Sequence, residues 1–217
     1  MTDRLQLFLE QSFNGLVLEP PLFYAQESGI RFEISNPMQA YDEPGFLMRA
    51  FQRSTTLFNE IFQEEDEILF VTDITTWRHD PFIHKKPINV YRKYIKQAQA
   101  LYKLQLQTLE QTEEEGDEIT TFRYSYACRK KDIRYPQLLQ AICYEDFGHP
   151  STILKNQKGS SCQIYFVNLS RKFIYHLYDD RGCDILAADK EDIRFLYEQY
   201  NDWILDYDRE KIDAVFK

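Results

Sequence analysis

The residues best suited to chemistry in this sequence are carboxylates and arginines near its C-terminal end. Two stretches hold most of them, YDDRG at residues 178–182 and NDWILDYDRE at residues 201–210. If the two stretches meet in the fold, their side chains could bind a basic group or a divalent cation, because carboxylate oxygens suit magnesium, calcium and manganese. We treat them as one candidate cluster, whose members are Asp179, Asp180, Arg181, Asp184, Asp202, Asp206, Asp208 and Arg209.

A structural interpretation explains the same residues without a ligand. Gly182 tolerates a positive φ and would complete a tight turn, and Asp206 or Asp208 can cap the start of a final helix. The spacing does not fit the calcium-binding loop, because Gly182 comes too early and no glutamate stands at the last position. Both interpretations stay open, with metal-assisted phosphoryl chemistry as the concrete form of the first.

Histidines and cysteines are weaker candidates. His79 and His84 share a loop, but the sequence contains no HxxxH or HExxH spacing for zinc. His176 lies inside a strand pattern, which favours a hydrogen-bonded structural histidine. The cysteines show no CxxC pair, so we expect reduced, mostly buried thiols. These thiols belong to Cys128, Cys143, Cys162 and Cys183.

The known cofactor and hydrolase motifs are missing from the sequence. KGSS at residues 158–161 lacks the order of a phosphate-binding loop, and neither GxSxG nor GxGxxG occurs. We therefore predict no cofactor. Basic residues at 129–131 and around 78–86 would suit nucleic acid, but the net charge of −9 opposes that partner and anionic membranes.

Length and composition predict one domain over residues 1–217 in the cytoplasm. No run reaches the roughly 18 to 20 apolar residues that a membrane-spanning helix needs. The aromatic fraction of 15% supplies bulky groups for a core, which a chain of this length can bury without disulfides. The acidic charge suits a basic protein partner.

The first half of the chain alternates between helix and strand patterns. Apolar residues recur at helical spacing in residues 3–13 and 44–62. GIRFEIS at 29–35 alternates like a half-buried strand, and ILFVTDI at 68–74 resembles a more central strand. The segment at 77–87 is predicted as a loop.

The middle of the chain allows two interpretations. Residues 101–111 alternate like a strand that would form a hairpin with TFRYSYAC at 121–128 around an EEEGDE turn, although a helix over 90–109 also fits. We favour the hairpin for the latter half. Asp132 is then predicted to cap a helix that carries Pro136 in its first turn.

The last third predicts a three-stranded meander over residues 163–169, 172–180 and 183–188. Asp189 is expected to cap the next amphipathic helix, and a final helix follows. Because strands and helices come in runs, without regular βαβ alternation, the fold class is α+β. We expect a largely antiparallel or mixed sheet packed by several amphipathic helices.

YDDRG and NDWILDYDRE together resemble an uncharacterised bacterial family, a domain of unknown function. The resemblance extends to YPQLLQAICYEDFG at 135–148 and, more loosely, to GIRFEI. It implies a bacterial cytoplasmic protein and assigns no catalytic residue.

Two function classes follow. The first is a protein-interaction module of the immunity or regulatory type, because the chain is small and acidic and lacks a convincing catalytic set. The second is a metal- or ligand-dependent enzyme or small-molecule binder that uses the candidate cluster. Self-association through exposed tyrosines and Trp77 is a third possibility.

Overall fold

One antiparallel sheet of seven strands runs through the part of the chain that the structure describes. The computed structural model describes residues 4–36, 38–43, 45–77, 88–109, 119–153 and 160–217. Antiparallel pairing throughout confirms the predicted α+β class. The strands are β1 (Gly29–Glu33), β2 (Glu67–Trp77), β3 (Gln105–Leu109), β4 (Ile119–Arg129), β5 (Ser161–Asn168), β6 (Phe173–Leu177) and β7 (Gly182–Ala187). Their order across the sheet is β1, β7, β6, β5, β2, β4, β3.

Helices pack on both faces of this sheet because side chains alternate along each strand. In β2, Ile68 and Phe70 face the larger core, and Leu69 and Val71 face the smaller core under the first helix. The larger core lies beneath most of the other helices. The helices are α1 (Arg4–Phe13), α2 (Phe46–Ile61), α3 (Asn89–Tyr94), α4 (Tyr135–Cys143), α5 (Arg194–Gln199) and α6 (Arg209–Phe216).

The middle of the chain divides between the two predicted interpretations. Leu106 and Thr108 of β3 lie opposite Tyr124 and Phe122 of β4, so the predicted hairpin is confirmed. The helical pattern applies only upstream, where α3 and a 3-10 helix (Ala98–Lys103) precede β3. The EEEGDE turn lies outside the described residues, as does most of the loop at 77–87.

Helix starts agree only partly with the predicted caps. Asp189 accepts a hydrogen bond from the Glu191 N–H at 3.0 Å, as predicted. The prediction for Asp132 is wrong, because its carboxylate accepts the Arg129 N–H and closes a 3-10 turn before α4 begins at Tyr135. The capping side chain comes from the N-cap residue, which is Arg134 in α4, and Asp132 lies two residues before it.

The two edges of the sheet differ. At β1, Phe32 forms an antiparallel bridge with Ile204, and the Leu205 N–H donates to the Arg31 carbonyl at 3.1 Å. At β3, no residue in the described part of the chain pairs with the outer side of the strand. The C-terminal segment therefore pairs with the outer side of β1, whereas the outer side of β3 has no such partner among the described residues.

Candidate functional site

The YDDRG stretch forms the turn between β6 and β7, and it is held by a local ion pair. The Asp179 carboxylate accepts the Arg181 N–H and its Nε, each at 2.7 Å, and also contacts Nη2. The Asp180 side chain is buried in the turn, where desolvation and the neighbouring Asp179 charge raise its pKa to about 6. Arg181 itself points largely into solvent.

Gly182 is required for space, which corrects the predicted reason for its presence. Its φ is not positive. A Cβ atom there would lie 2.8 Å from the Phe32 carbonyl oxygen of β1 and 2.1 Å from the Tyr178 hydroxyl. The absence of a side chain thus lets β7 approach β1 closely.

A buried arginine joins the two stretches. Arg31 of β1 binds Asp184 with two parallel hydrogen bonds, from Nε at 2.7 Å and from Nη2 at 3.0 Å. Its Nη1 lies 3.3 Å from Asp208, which also accepts the Tyr24 hydroxyl at 2.7 Å. The Phe23 N–H donates to Asp184 at 3.1 Å. Two predicted carboxylates therefore do meet, and they meet as partners of a cation.

The remaining cluster residues hold the segment before α6. Arg209 binds the Asp206 carboxylate at 3.0 Å and the carbonyl oxygens of Asn201 and Ile204 at 3.1 Å. Asp202 is exposed. The predicted capping of α6 by Asp206 or Asp208 is wrong, because neither carboxylate bonds to an N–H of that helix. Both are engaged by arginine side chains instead.

Six of the eight cluster residues thus belong to three arginine-centred groups, whereas Asp180 is buried in its turn and Asp202 is exposed. Among the described residues, no three His, Cys, Asp or Glu side chains converge as metal ligands. Carboxylates that pair with guanidinium groups present little free negative charge to a cation. In the described part, the contact between Arg31 and Asp208 fastens the C-terminal segment to β1, and the ion pairs of Arg181 and Arg209 are local to their own segments.

A second polar feature crosses the face of the sheet beneath α1. On β2, Asp73 binds Arg123 of β4 with hydrogen bonds of 2.7 and 2.6 Å, and Arg123 also donates to the Leu18 carbonyl at 3.0 Å. Burial raises the pKa of Asp73, although the Arg123 bond opposes that shift. Cross-strand neighbours continue this polar row, which consists of Arg31, Asp184, His176, Tyr165, Gln163, Asp73 and Arg123.

The centre of the polar row contains two buried atoms without a hydrogen-bond partner. They are the Tyr165 hydroxyl and Nδ1 of His176. The predicted hydrogen bond of His176 is present only at Nε2, which lies 2.9 Å from Gln163 Oε1. Burial, assisted by the Arg31 charge, lowers the pKa of this imidazole to about 3. The neutral ring therefore offers Nδ1 as a free acceptor when Nε2 donates to Gln163.

The thiols match the predicted packing role. All four cysteines are free, and three of them are buried. Burial raises the pKa of every one of these thiols, so each stays protonated at neutral pH and is a poor nucleophile. His79 and His84 lie outside the described residues.

Sequence reasoning missed Arg31, Asp73 and Arg123. The available signal was a charged residue inside an apolar strand pattern, because charges are rarely buried unless they are paired. The alternation of GIRFEIS predicts that Arg31 faces solvent, and Asp73 lies within the largely apolar stretch ILFVTDI. Their partners are more than 45 residues away in sequence, so no local spacing could show the pairs.

Comparison with known proteins agrees with the resemblance. Residues 5–208 match the model of a family described as domain of unknown function DUF3885. The chain belongs to this family. It is also similar to the uncharacterized protein YnaE of Bacillus subtilis (strain 168), with 29% identity over 210 residues, which cover 92% of this chain and 96% of YnaE. No solved structure matches the chain.

The DUF3885 match includes both C-terminal stretches as far as Asp208, and the bacterial relative agrees with the predicted bacterial origin. In the described ranges, no helix has the length and apolar character needed to span a membrane.

Proposed function

We propose that this DUF3885 protein acts by binding another protein, as an immunity-type or regulatory module, and that it holds an extended segment of that partner along β3. The difference between the two edges of the sheet is the observation that supports the proposal. The β1 edge is occupied by the chain's own C-terminal segment. An open strand edge presents rows of N–H and C=O groups that can accept one further strand.

The side chains of β3 favour such pairing. Four of its five residues are exposed, and none is charged. Leu106 exposes 57% of its surface, on the face that it shares with Tyr124. Natural proteins protect free edges with lysine, proline or short strands, and β3 uses only shortness. An added strand would extend the sheet and cover Leu106.

Proline at adjacent positions tests this proposal. Main-chain N–H groups of successive strand residues point to opposite edges of the strand. One of the variants Leu106→Pro and Gln107→Pro therefore removes a hydrogen bond to β4, and the other removes an N–H group from the outer edge and blocks pairing there. We expect the edge-blocking variant to keep its thermal midpoint and to lose proteins that wild-type chain captures from a bacterial lysate. Equal capture by wild type and this variant would overturn the proposal, and so would a lack of reproducible capture by the wild type.

A second candidate function is the binding of a small polar ligand at the polar row. It is favoured by the two buried atoms without partners, because such atoms normally bind water or a ligand. His176 lies directly opposite Asp184, a member of the candidate cluster. The enzyme version of this hypothesis uses the same cluster, and it also stays a proposal.

A thermal-shift screen against divalent metals, nucleotides and common metabolites tests this second candidate. A ligand at a hundred times its dissociation constant stabilises the native state by about 2.7 kcal/mol. We expect Tyr165→Phe to abolish the shift without unfolding the chain, since it removes only the unpartnered hydroxyl. A flat screen would count against ligand binding.

A further inference from the structure

A basic patch lies on the surface around α3 despite the acidic character of the chain. Ile95 after α3 forms an antiparallel bridge with Ile133, and the Arg134 N–H donates to the Tyr94 carbonyl at 2.7 Å. This bridge brings together cations from two segments that are almost forty residues apart. The basic patch consists of the exposed residues Arg92, Lys93, Lys96, Arg129, Lys131 and Arg134.

Most of the patch has no compensating carboxylate. Glu65 pairs with both Arg129 and Lys131. The structure shows no ion pair between the other four cations and any described residue. Lys96 Nζ instead donates to the Lys131 carbonyl at 2.6 Å, and Arg134 Nη1 donates to the Lys93 carbonyl at 2.9 Å. These bonds hold charged groups in place without neutralising them.

The basic patch borders the open edge of the sheet. The 3-10 helix Ala98–Lys103 contacts both α3 and β4, and it leads directly into β3. Gln105 at the start of β3 lies opposite Ser125 of β4, and β4 continues to Arg129. Four residues of strand span roughly 13 Å. A segment paired with β3 would therefore reach the patch within a few residues.

We propose that the partner segment bound along β3 is acidic and that its carboxylates contact the basic patch. This inference rests on the proposed function and adds the charge of the partner. It reverses the sign expected from net charge, because association is steered by the local potential of a surface as well as by the total charge. Nucleic acid fits less well, since it cannot use the main-chain groups of β3 and since the rest of the chain repels a long polyanion.

Binding of three labelled peptides to the full chain tests the charge. The peptides, of about eight residues each, alternate threonine with glutamate, glutamine or lysine. We expect the glutamate peptide to bind about tenfold more tightly than the glutamine peptide in a buffer of about 50 mM salt, and the gap to shrink near 500 mM salt because screening weakens exposed charge pairs. Equal binding of these two peptides would overturn the inference.

Charge-reversed variants locate the effect. Lys93→Glu with Lys96→Glu should abolish the preference for the glutamate peptide, whereas Lys172→Glu with Lys190→Glu, which changes net charge equally at two other exposed sites, should retain it. Lys93→Gln with Lys96→Gln provides a milder pair if reversal impairs folding. Retained preference in both patch variants would overturn the inference.

Four further results separate the proposals. If the edge-blocking proline variant loses all peptides but the wild type shows no charge preference, the edge function stands and the inference fails. If charge preference persists after the edge is blocked, the patch stands and strand pairing fails. If an oligothymidine binds more tightly than the peptides through the same lysines, the partner is nucleic acid. If the chain self-associates, and both the edge-blocking proline and the charge reversal at Lys93 and Lys96 abolish that association, the partner is a second copy of the chain. Either of these last outcomes overturns the inference.

Discussion

The β1 and β3 edges of one sheet are completed by different means. At β1, the C-terminal segment adds main-chain bonds and Asp208, and the buried Arg31 holds that carboxylate together with Asp184. At β3, the outer side faces solvent with uncharged side chains, and cations gather nearby. Buried ion pairs therefore stabilise the first edge, and our proposal assigns partner binding to the second.

Removal of Arg31 should cause the largest loss of stability at the β1 edge. Arg31→Met would leave Asp184 and Asp208 buried without their cation, and breaking a buried pair in this way costs about 3–5 kcal/mol. Chemical denaturation measures the free energy of unfolding. Arg4→Met is the matched control, because Arg4 and its partner Glu67 are both exposed and such a pair should contribute less than about 1 kcal/mol. Similar losses for both variants would show that the β1 network is not a centre of stability.

Acidification should lower the stability of the region around Arg31 and Asp184 through His176, which lies opposite Asp184. Its pKa is lowered from 6.5 to about 3 in the folded chain, so the unfolded state binds a proton first as the pH falls. The contribution of His176 should lower the free energy of unfolding by roughly 1.4 kcal/mol per pH unit between about pH 6 and about pH 3.

Asp180 acts in the opposite direction. Its folded pKa of about 6 lies above the ordinary 3.8, so its stabilising contribution is full below 3.8 and is lost as pH rises through 6. The His176 effect is therefore measured as the difference in pH slope between wild type and His176→Gln. Identical slopes would contradict the buried neutral imidazole.

A methyl group at residue 182 should loosen the contact between β7 and β1. Gly182→Ala places Cβ too close to the Phe32 carbonyl, and overpacking of this kind costs about 1–3 kcal/mol. Hydrogen exchange should show faster exchange of β1 amides and unchanged exchange in β3. An equally stable variant with unchanged exchange would indicate that the strands have room to separate.

The smallest effect is expected at the open edge. Leu106→Lys changes an exposed side chain, so its free energy of unfolding should stay within about 0.5 kcal/mol of wild type. The same denaturation measurement tests this expectation. A loss above about 1 kcal/mol would show that the outer side of β3 is packed, and it would remove the contrast between the edges.

Much of the fold could be predicted because its signals are local. Alternation in the last third predicted the meander, and helical spacing predicted α1 and all of α2. The predictions that Asp132, Asp206 and Asp208 cap helices were wrong, because a carboxylate can accept hydrogen bonds from any donor that the fold brings near it. In the folded chain those donors were the Arg129 N–H, Arg209 and Arg31.

The sequence by itself determined the fold class, the free buried thiols and membership of the DUF3885 family, since periodicity, composition and motifs are properties of the linear chain. Only the tertiary structure decided which charges meet. Arg31 joins Asp184 and Asp208 across more than 150 residues, and the basic patch forms where α3 meets the residues after β4. The energy of an ion pair depends on how far apart its two charges lie in space, and their separation along the sequence does not determine that distance.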